Sequence, residues 1–292
     1  MPVSLDLNRR AYLVCGAGGG GIGTAIAAML AEAGATVVAI DKTELGRETA
    51  GRALAEFGDH HLVLDCDLTD PDSVEAMLAD ATGRAGAIRG AVNVVGGMLP
   101  NHWTALIDPL APEAFDDVMR FNLKPSLIAS TAVARAIAGH GLGGSIVNVA
   151  SAAGLVSMAY GAGYGAAKAA LINLTRSMAV EWGRYRLRVN AVAPGTIRTQ
   201  KLGRARFDTG ESPEMRQKSR DVIPLGRRGE AADVAGAVLY LLSDLAEYVT
   251  GQVLGVDGGA LARAPYNDGD NLPVFVSDPT LRARLLGEET ER

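Results

Sequence analysis

Short apolar runs recur along this chain, and most are separated by longer stretches in which apolar residues return at helical spacing. The runs are AYLVC (Ala11–Cys15), TVVAI (Thr36–Ile40), HLVL (His61–Leu64), GAVNVV (Gly90–Val95), SIVNVA (Ser145–Ala150), RVNAVA (Arg188–Ala193) and QVLGV (Gln252–Val256). Apolar residues follow one another within them instead of alternating with polar ones, as in strands buried on both faces. Amphipathic stretches such as TAIAAMLAEAG lie between them, and a helix joining two parallel strands makes a right-handed crossover. The pattern predicts an α/β fold: a single doubly wound domain whose seven-stranded parallel sheet is flanked by roughly six helices on both faces. One helix start is explicit. In TDPDS, Asp70 is placed to cap the helix and Pro71 to occupy its first position, where the missing N–H is no loss.

Composition adds bounds. With 292 residues, 48% of them apolar, the chain can bury a substantial core. We expect one dinucleotide- and substrate-binding domain over 1–259, without internal repeat or linker. A C-terminal extension follows over 260–292, packed on the domain or partly disordered. The net charge of -5 argues against nucleic acid as a partner. Cys15 and Cys66 lie in or beside strand-like runs and read as buried thiols of a reducing compartment. The N-terminus shows no basic-then-apolar opening. The longest uncharged stretch, Gly141 to Ala167, holds seven glycines and makes a poor membrane span. A soluble, cytoplasmic protein is expected, away from membranes. His60, His61, His102 and His140 show no ligand spacing, so no metal is expected.

The first strand runs into CGAGGGGIGTAIA. Glycines at a strand-to-helix turn let backbone N–H groups approach a pyrophosphate, and the helix N-terminus favours its charge. Gly16, Gly18, Gly20, Gly21 and Ile22 are the candidate contacts. Asp41 ends the next strand; its carboxylate can accept from adenosine ribose hydroxyls and would repel a 2′-phosphate. Its plainer reading is a cap for the following helix. Lys42 beside it could receive a phosphate, yet Asp41 favours NAD over NADP.

YGAGYGAAK (Tyr160–Lys168) places two tyrosines four residues apart, with Lys168 four beyond the second. Only Tyr164 has a lysine one helical turn on, on the same face. Free phenol titrates near ~10, and bringing it to about 7 takes roughly 4 kcal/mol of differential stabilisation. A neighbouring ammonium can supply part of that, and the positive ring of an oxidised nicotinamide another part.

With these motifs the chain resembles the short-chain dehydrogenase/reductase family nearly as far as Gly259, which implies a Rossmann-type fold and an NAD(P)-dependent oxidoreductase. The glycine motif departs from the family's T-G-x-x-x-G-x-G: Cys15 replaces Thr, and the loop is one residue longer. The resemblance implies Asn122, Ser151, Tyr164 and Lys168 as catalytic residues. Tyr164 would transfer the proton and Ser151 position the oxygen. Lys168 would lower the phenol pKa, and Asn122 would hold a water in a proton relay. It implies Asp67 and the Leu68 backbone on adenine. Asn93 and Gly96 come from NVVG, where relatives read Asn-Asn-Ala-Gly; Asn93 braces neighbouring strands or touches cofactor. Pro194, Gly195, Ile197 and Thr199 would border the nicotinamide, together with Tyr164 and Lys168. Relatives pair their last strand and their Tyr-bearing helices about two-fold axes, implying a homotetramer, or a dimer as fallback.

Substrate evidence is thinner. Met98, Leu99, Trp103 and Leu106, with Val156, Met158 and Tyr160, could wall an apolar pocket. Such a pocket suits a secondary alcohol or ketone on a hydrophobic, cyclic skeleton of terpenoid or steroid type. Between Gln200 and Arg220, six basic residues face three acidic ones, as a mobile lid or a solvated helix would. The rival readings are an NADPH-dependent 3-oxoacyl-thioester reductase and a redox-inactive dinucleotide-binding sensor.

Overall fold

The computed structural model describes residues 5, 7, 9–97, 111–199, 213–263 and 278–286. The main sheet contains β1 (Ala11–Cys15), β2 (Thr36–Ile40), β3 (Leu62–Leu64), β4 (Ile88–Asn93), β5 (Gly144–Val149), β6 (Leu187–Pro194) and β9 (Val253–Val256). Their order is β3-β2-β1-β4-β5-β6-β9, and every pairing is parallel. A two-stranded sheet, β7 (Ile197–Arg198) with β8 (Gly229–Glu230), was not foreseen from the apolar pattern. Its strands are too short and too polar to show a periodicity.

Strands without alternation make sense once both faces are seen. Tyr12 and Val14 of β1 enter one core layer with Val37, Val92, Val147 and Val192, covered by α1 (Ile22–Glu32) and α8 (Ala231–Leu242). Leu13 and Cys15 enter the other with Val38, Ala91, Ile146 and Val189. That face is covered by α3 (Pro71–Ala85), α5 (Lys124–His140) and α6 (Ala162–Trp182). The remaining helices are α2 (Glu44–Leu54), α4 (Pro112–Asn122), α7 (Pro213–Val222) and α9 (Pro279–Leu286). Nine helices among the described residues exceed the expected six. One reason is a break at Leu123, where Pro125 has no N–H to continue the ladder of α4. None is long and apolar enough to cross a membrane.

Local expectations meet specific hydrogen bonds. Asp70 caps α3 by accepting from the Asp72 N–H (3.1 Å), with Pro71 at the first helical position. β4 ends before Val94 because the Val94 and Val95 N–H groups both turn to the Cys15 carbonyl (2.9 and 3.2 Å). β3 starts after His61, whose ring Nδ1 accepts from the Val37 N–H (3.2 Å).

Candidate active site

Strand order reverses between β1 and β4, and the carboxyl ends of the strands open a crevice there. The strands that lead into the candidate cofactor and catalytic segments all end at that edge. β1 leads into the glycine loop, β2 into Asp41, β4 into Gly96, β5 into Ser151, and β6 into Gly195 and Thr199.

The glycine loop spends several of its amides on itself. Gly16 and Ala17 donate to the Ile40 carbonyl (2.8 and 3.1 Å). Gly18 donates to Asp41 Oδ2 (3.1 Å) and Gly20 to Thr24 Oγ1 (3.1 Å). What remains is the start of α1: Gly21 is its N-cap, no side chain caps it and no acid occupies its first turn. The unpaired N–H groups of that turn are the part of the loop ready for an anion. The extra residue shows its consequence at Gly18, where an added Cβ would fall 2.3 Å from the Gly46 backbone. The longer loop thus rests directly on the first turn of α2.

Asp41 is not itself the cap of α2, which is Thr43, but it holds that cap in place. Its Oδ1 accepts from the Thr43 N–H (3.0 Å) and Thr43 Oγ1 (2.8 Å), while Thr43 itself caps α2 through the Gly46 N–H (3.1 Å). Lys42 is drawn away to Asp67 Oδ2 (2.5 Å), and Arg47 pairs with Asp65 (3.1 Å). The Lys42 bond and two from Thr69 hold the Asp67 carboxyl well below its ordinary range. Leu68 beside it is buried.

Ser151, Tyr164 and Lys168 converge. A single 3₁₀ turn over 152–154 follows β5, and Ser151 begins it by accepting from the Ala153 N–H (3.2 Å). Tyr164 lies in the first turn of α6, with the Ser151 hydroxyl close enough to act on its phenol. Lys168, one turn on and buried, donates to the Val149 carbonyl (3.0 Å) and stands 5.8 Å from the Tyr164 ring centroid. Burial pushes this ammonium down to about 8. Burial also pushes the Tyr164 phenol up, and the Ser151 hydroxyl offsets part of that rise. The expected lowering by Lys168 is therefore not a property of the protein alone, where loss of water around the phenol dominates.

Asn122 ends α4 fully buried. Its Oδ1 accepts from the Gly97 N–H (2.7 Å), and its Nδ2 donates to the Gly97 and Val118 carbonyls (3.1 Å each). Both amide hydrogens are thus committed to main chain, and the side chain secures the turn after β4. A Cβ on Gly96 would lie 2.7 Å from Asn122 Oδ1 and 3.2 Å from Lys168 Nζ, so this glycine is wedged between them. Asn93 is buried below, donating to Ser130 Oγ (2.8 Å) and Asn148 Oδ1 (2.7 Å), which is the bracing role. Asn148 in turn donates to Thr175 Oγ1 on α6 (2.9 Å).

Pro194 ends β6, and Gly195 donates to the Val256 carbonyl (3.0 Å). Ile197 pairs with Gly229 in the small sheet. Thr199 packs on the glycine loop, 3.1 Å from where a Gly21 Cβ would be. Met98, Leu99, Trp103, Leu106 and residues 200–212 lie outside the described residues. Tyr160 lies in the turn before α6. The sequence also gave no reason to single out Gly154, whose Cβ would strike the Lys168 backbone at 2.7 Å, or Gly165, whose Cβ would meet the Ala153 carbonyl at 2.9 Å. Small residues at matching places in SAAG and YGAAK are the available signal.

Comparison with known proteins agrees with this architecture. Residues 16–260 match the family model described as enoyl-(acyl carrier protein) reductase. The chain is 36% identical over 248 residues to 2-(S)-hydroxypropyl-CoM dehydrogenase 3 of Xanthobacter autotrophicus, covering 84% of this chain and 94% of that one. It is 37% identical to cis-4-hydroxycyclohexanecarboxylate dehydrogenase of Sinomonas cyclohexanicum, covering 87% and 97%. The crystal structure of a short-chain type dehydrogenase/reductase from Mycobacterium marinum superposes with a TM-score of 0.77 at 32% identity, covering 88% and 96%. The chain belongs to the short-chain dehydrogenase/reductase family. It is an oxidoreductase acting on CH–OH groups and using a nicotinamide dinucleotide.

Proposed function

We propose that the protein is an NAD-dependent dehydrogenase that interconverts a ring-bearing secondary alcohol and its ketone. The observation that carries this is the convergence of Ser151, Tyr164 and Lys168 after β5, at the carboxyl edge of the sheet that also leads into the uncapped N-terminus of α1. The residues fit the dinucleotide. Open N–H groups at Gly21 and Ile22 suit a pyrophosphate, Asp41 suits ribose hydroxyls, and Ile197 and Thr199 border the nicotinamide. Bound there, the nicotinamide supplies the hydride acceptor in oxidation and the donor in reduction. Ser151 holds the alcohol oxygen, and Tyr164 takes its proton as the carbon becomes a carbonyl. Lys168 places positive charge under the phenol through one helical turn. Asn122 acts as a positioning residue, fixing Gly96 and Gly97 against Lys168.

NAD over NADP is supported by charge. The two cations nearest Asp41 are engaged by Asp67 and Asp65, leaving an anionic neighbourhood for a 2′-phosphate. The ring in the substrate is supported by the Sinomonas relative's name and by exposed Leu155, Val156 and Tyr160 after Ser151. Exposed Leu254 on the edge strand β9 supports two-fold pairing within a homotetramer. A reducing cytoplasm suits two free buried cysteines.

Turnover of a panel of secondary alcohols with NAD and with NADP tests this reading. We expect NAD to be preferred, Asp41→Ala to erode the preference, and Tyr164→Phe to lower kcat by about 10²–10⁴-fold. A wild type that prefers NADP refutes the cofactor assignment, and undiminished turnover in the Phe variant refutes Tyr164.

A further inference from the structure

Tyr160 holds a backbone conformation that its side chain disfavours. Its φ is 62°, one of three positive values at non-glycine residues among the described residues. The Gly161 N–H closes a turn onto the Met158 carbonyl (3.2 Å), and Tyr160 fills the third place in it. Turns with positive φ at that place ordinarily carry Gly or Asn there. A glycine stands one residue later, at φ -131°, which other residues adopt without strain.

Among the described residues, packing does not account for the aromatic ring. Tyr160 is 59% exposed, and none of the described residues forms a hydrogen bond to its hydroxyl. Strain that the protein's own contacts do not repay is found where a ligand uses the side chain. The position fits that role. Residues 155–160 bridge the two hydroxyls that hold the reacting oxygen, Ser151 before them and Tyr164 after them. The bridge is anchored at its start by Gly154 against the Lys168 backbone, and it runs directly into α6 at Ala162. Leu155 and Val156 on the same bridge are exposed as well, so most of its free surface is apolar, with Ser157 its polar member.

We infer that Tyr160 is the platform against which the substrate's ring lies, and that it sets a preference for alicyclic over small acyclic secondary alcohols. A phenol offers a broad, rigid face with only two side-chain torsions to order, and a saturated ring can lie flat upon it. This rests on the proposed roles of Ser151 and Tyr164.

The test compares wild type, Tyr160→Gly and Tyr160→Phe in NAD-dependent oxidation of cyclohexanol and propan-2-ol, with thermal melts of each. In the Gly variant we expect a higher melting temperature, because the positive φ is relieved. We also expect the ratio of kcat/KM for cyclohexanol over propan-2-ol to fall at least tenfold, mainly through KM. The Phe variant should keep the ratio within about threefold, since the ring and not the hydroxyl is used. An unchanged ratio in an active Gly variant overturns the inference, as does a Gly variant that melts below wild type. A Phe variant as impaired as Gly overturns it too, by assigning recognition to the hydroxyl. A wild type that oxidises no secondary alcohol instead overturns the proposed function itself.

Discussion

Lys168 shows how one residue serves the site at a cost to the fold. Burial lowers its pKa from 10.5 to about 8, so the folded protein releases a proton that the unfolded chain still binds between those values. Stability then rises with pH across that window, and below about pH 8 the burial cost is fully present. At about 1.36 kcal/mol per unit the shift is worth ~3 kcal/mol, and leaving the Val149 carbonyl unpaired offsets ~1–2 of it. Lys168→Met should therefore be more stable than wild type at pH 7 by ~1–2 kcal/mol, with the difference narrowing as pH rises above 8. Urea denaturation of both proteins at pH 7 and pH 9.5 checks this; a constant difference would place the lysine in a wetter setting. The Tyr164–Lys168 pair on one face of α6 was legible at this scale, because a lysine at helical spacing is a local feature. The strained φ of Tyr160 was not, since it follows from where β5 and α6 anchor the intervening turn.

Close backbone approaches at the level of elements set the geometry of the site. The 3₁₀ turn after β5 lies directly on α6 because Gly154 has no Cβ to meet the Lys168 backbone, and Gly165 admits the Ala153 carbonyl in the same way. Gly154→Ala should push α6 away from Ser151 and lower kcat by about 10²-fold, the scale of a 1 Å misplacement. Nucleotide affinity should change little, because Asp41 and α1 lie elsewhere; a matching loss of affinity would mean that the two halves of the crevice move together. Steady-state kinetics and nucleotide titration of the variant distinguish these outcomes. The start of α2 is built with equal economy. A Cβ on Gly46 would lie 2.3 Å from Asp41 Oδ1, so glycine here is what allows Asp41, Thr43 and the long loop to meet. Helix caps such as Asp70 were legible because they depend on neighbours in sequence. These contacts were not, because they depend on how one element folds back against the next.

Across the whole molecule, the crevice is closed by distant parts. Thr199 rests on Gly21, β7 pairs with β8, and Arg198 pairs with Glu230 (3.2 Å), tying the turn after β6 to the start of α8. A dinucleotide lying across β1, β2, β4 and β6 would bridge all of these. At a hundred times its Kd it should stabilise the protein by ~2.7 kcal/mol. For a domain of this size that raises Tm by roughly 5 °C. Differential scanning fluorimetry should show this shift with NAD and a smaller one with NADP at equal concentration. Equal shifts would contradict the charge argument around Asp41.

The apolar runs and glycine punctuation determined the parallel sheet and marked the turns at its carboxyl edge, and the spacing in YGAGYGAAK singled out the Tyr164–Lys168 pair. Each of these depends on periodicity or spacing within one segment. Tertiary structure decided the rest. Asp41 is shared between loop and helix, Asn122 secures main chain, and burial raises the Tyr164 phenol. Burial and long-range hydrogen bonds are set by which segments meet, and no local pattern encodes that meeting.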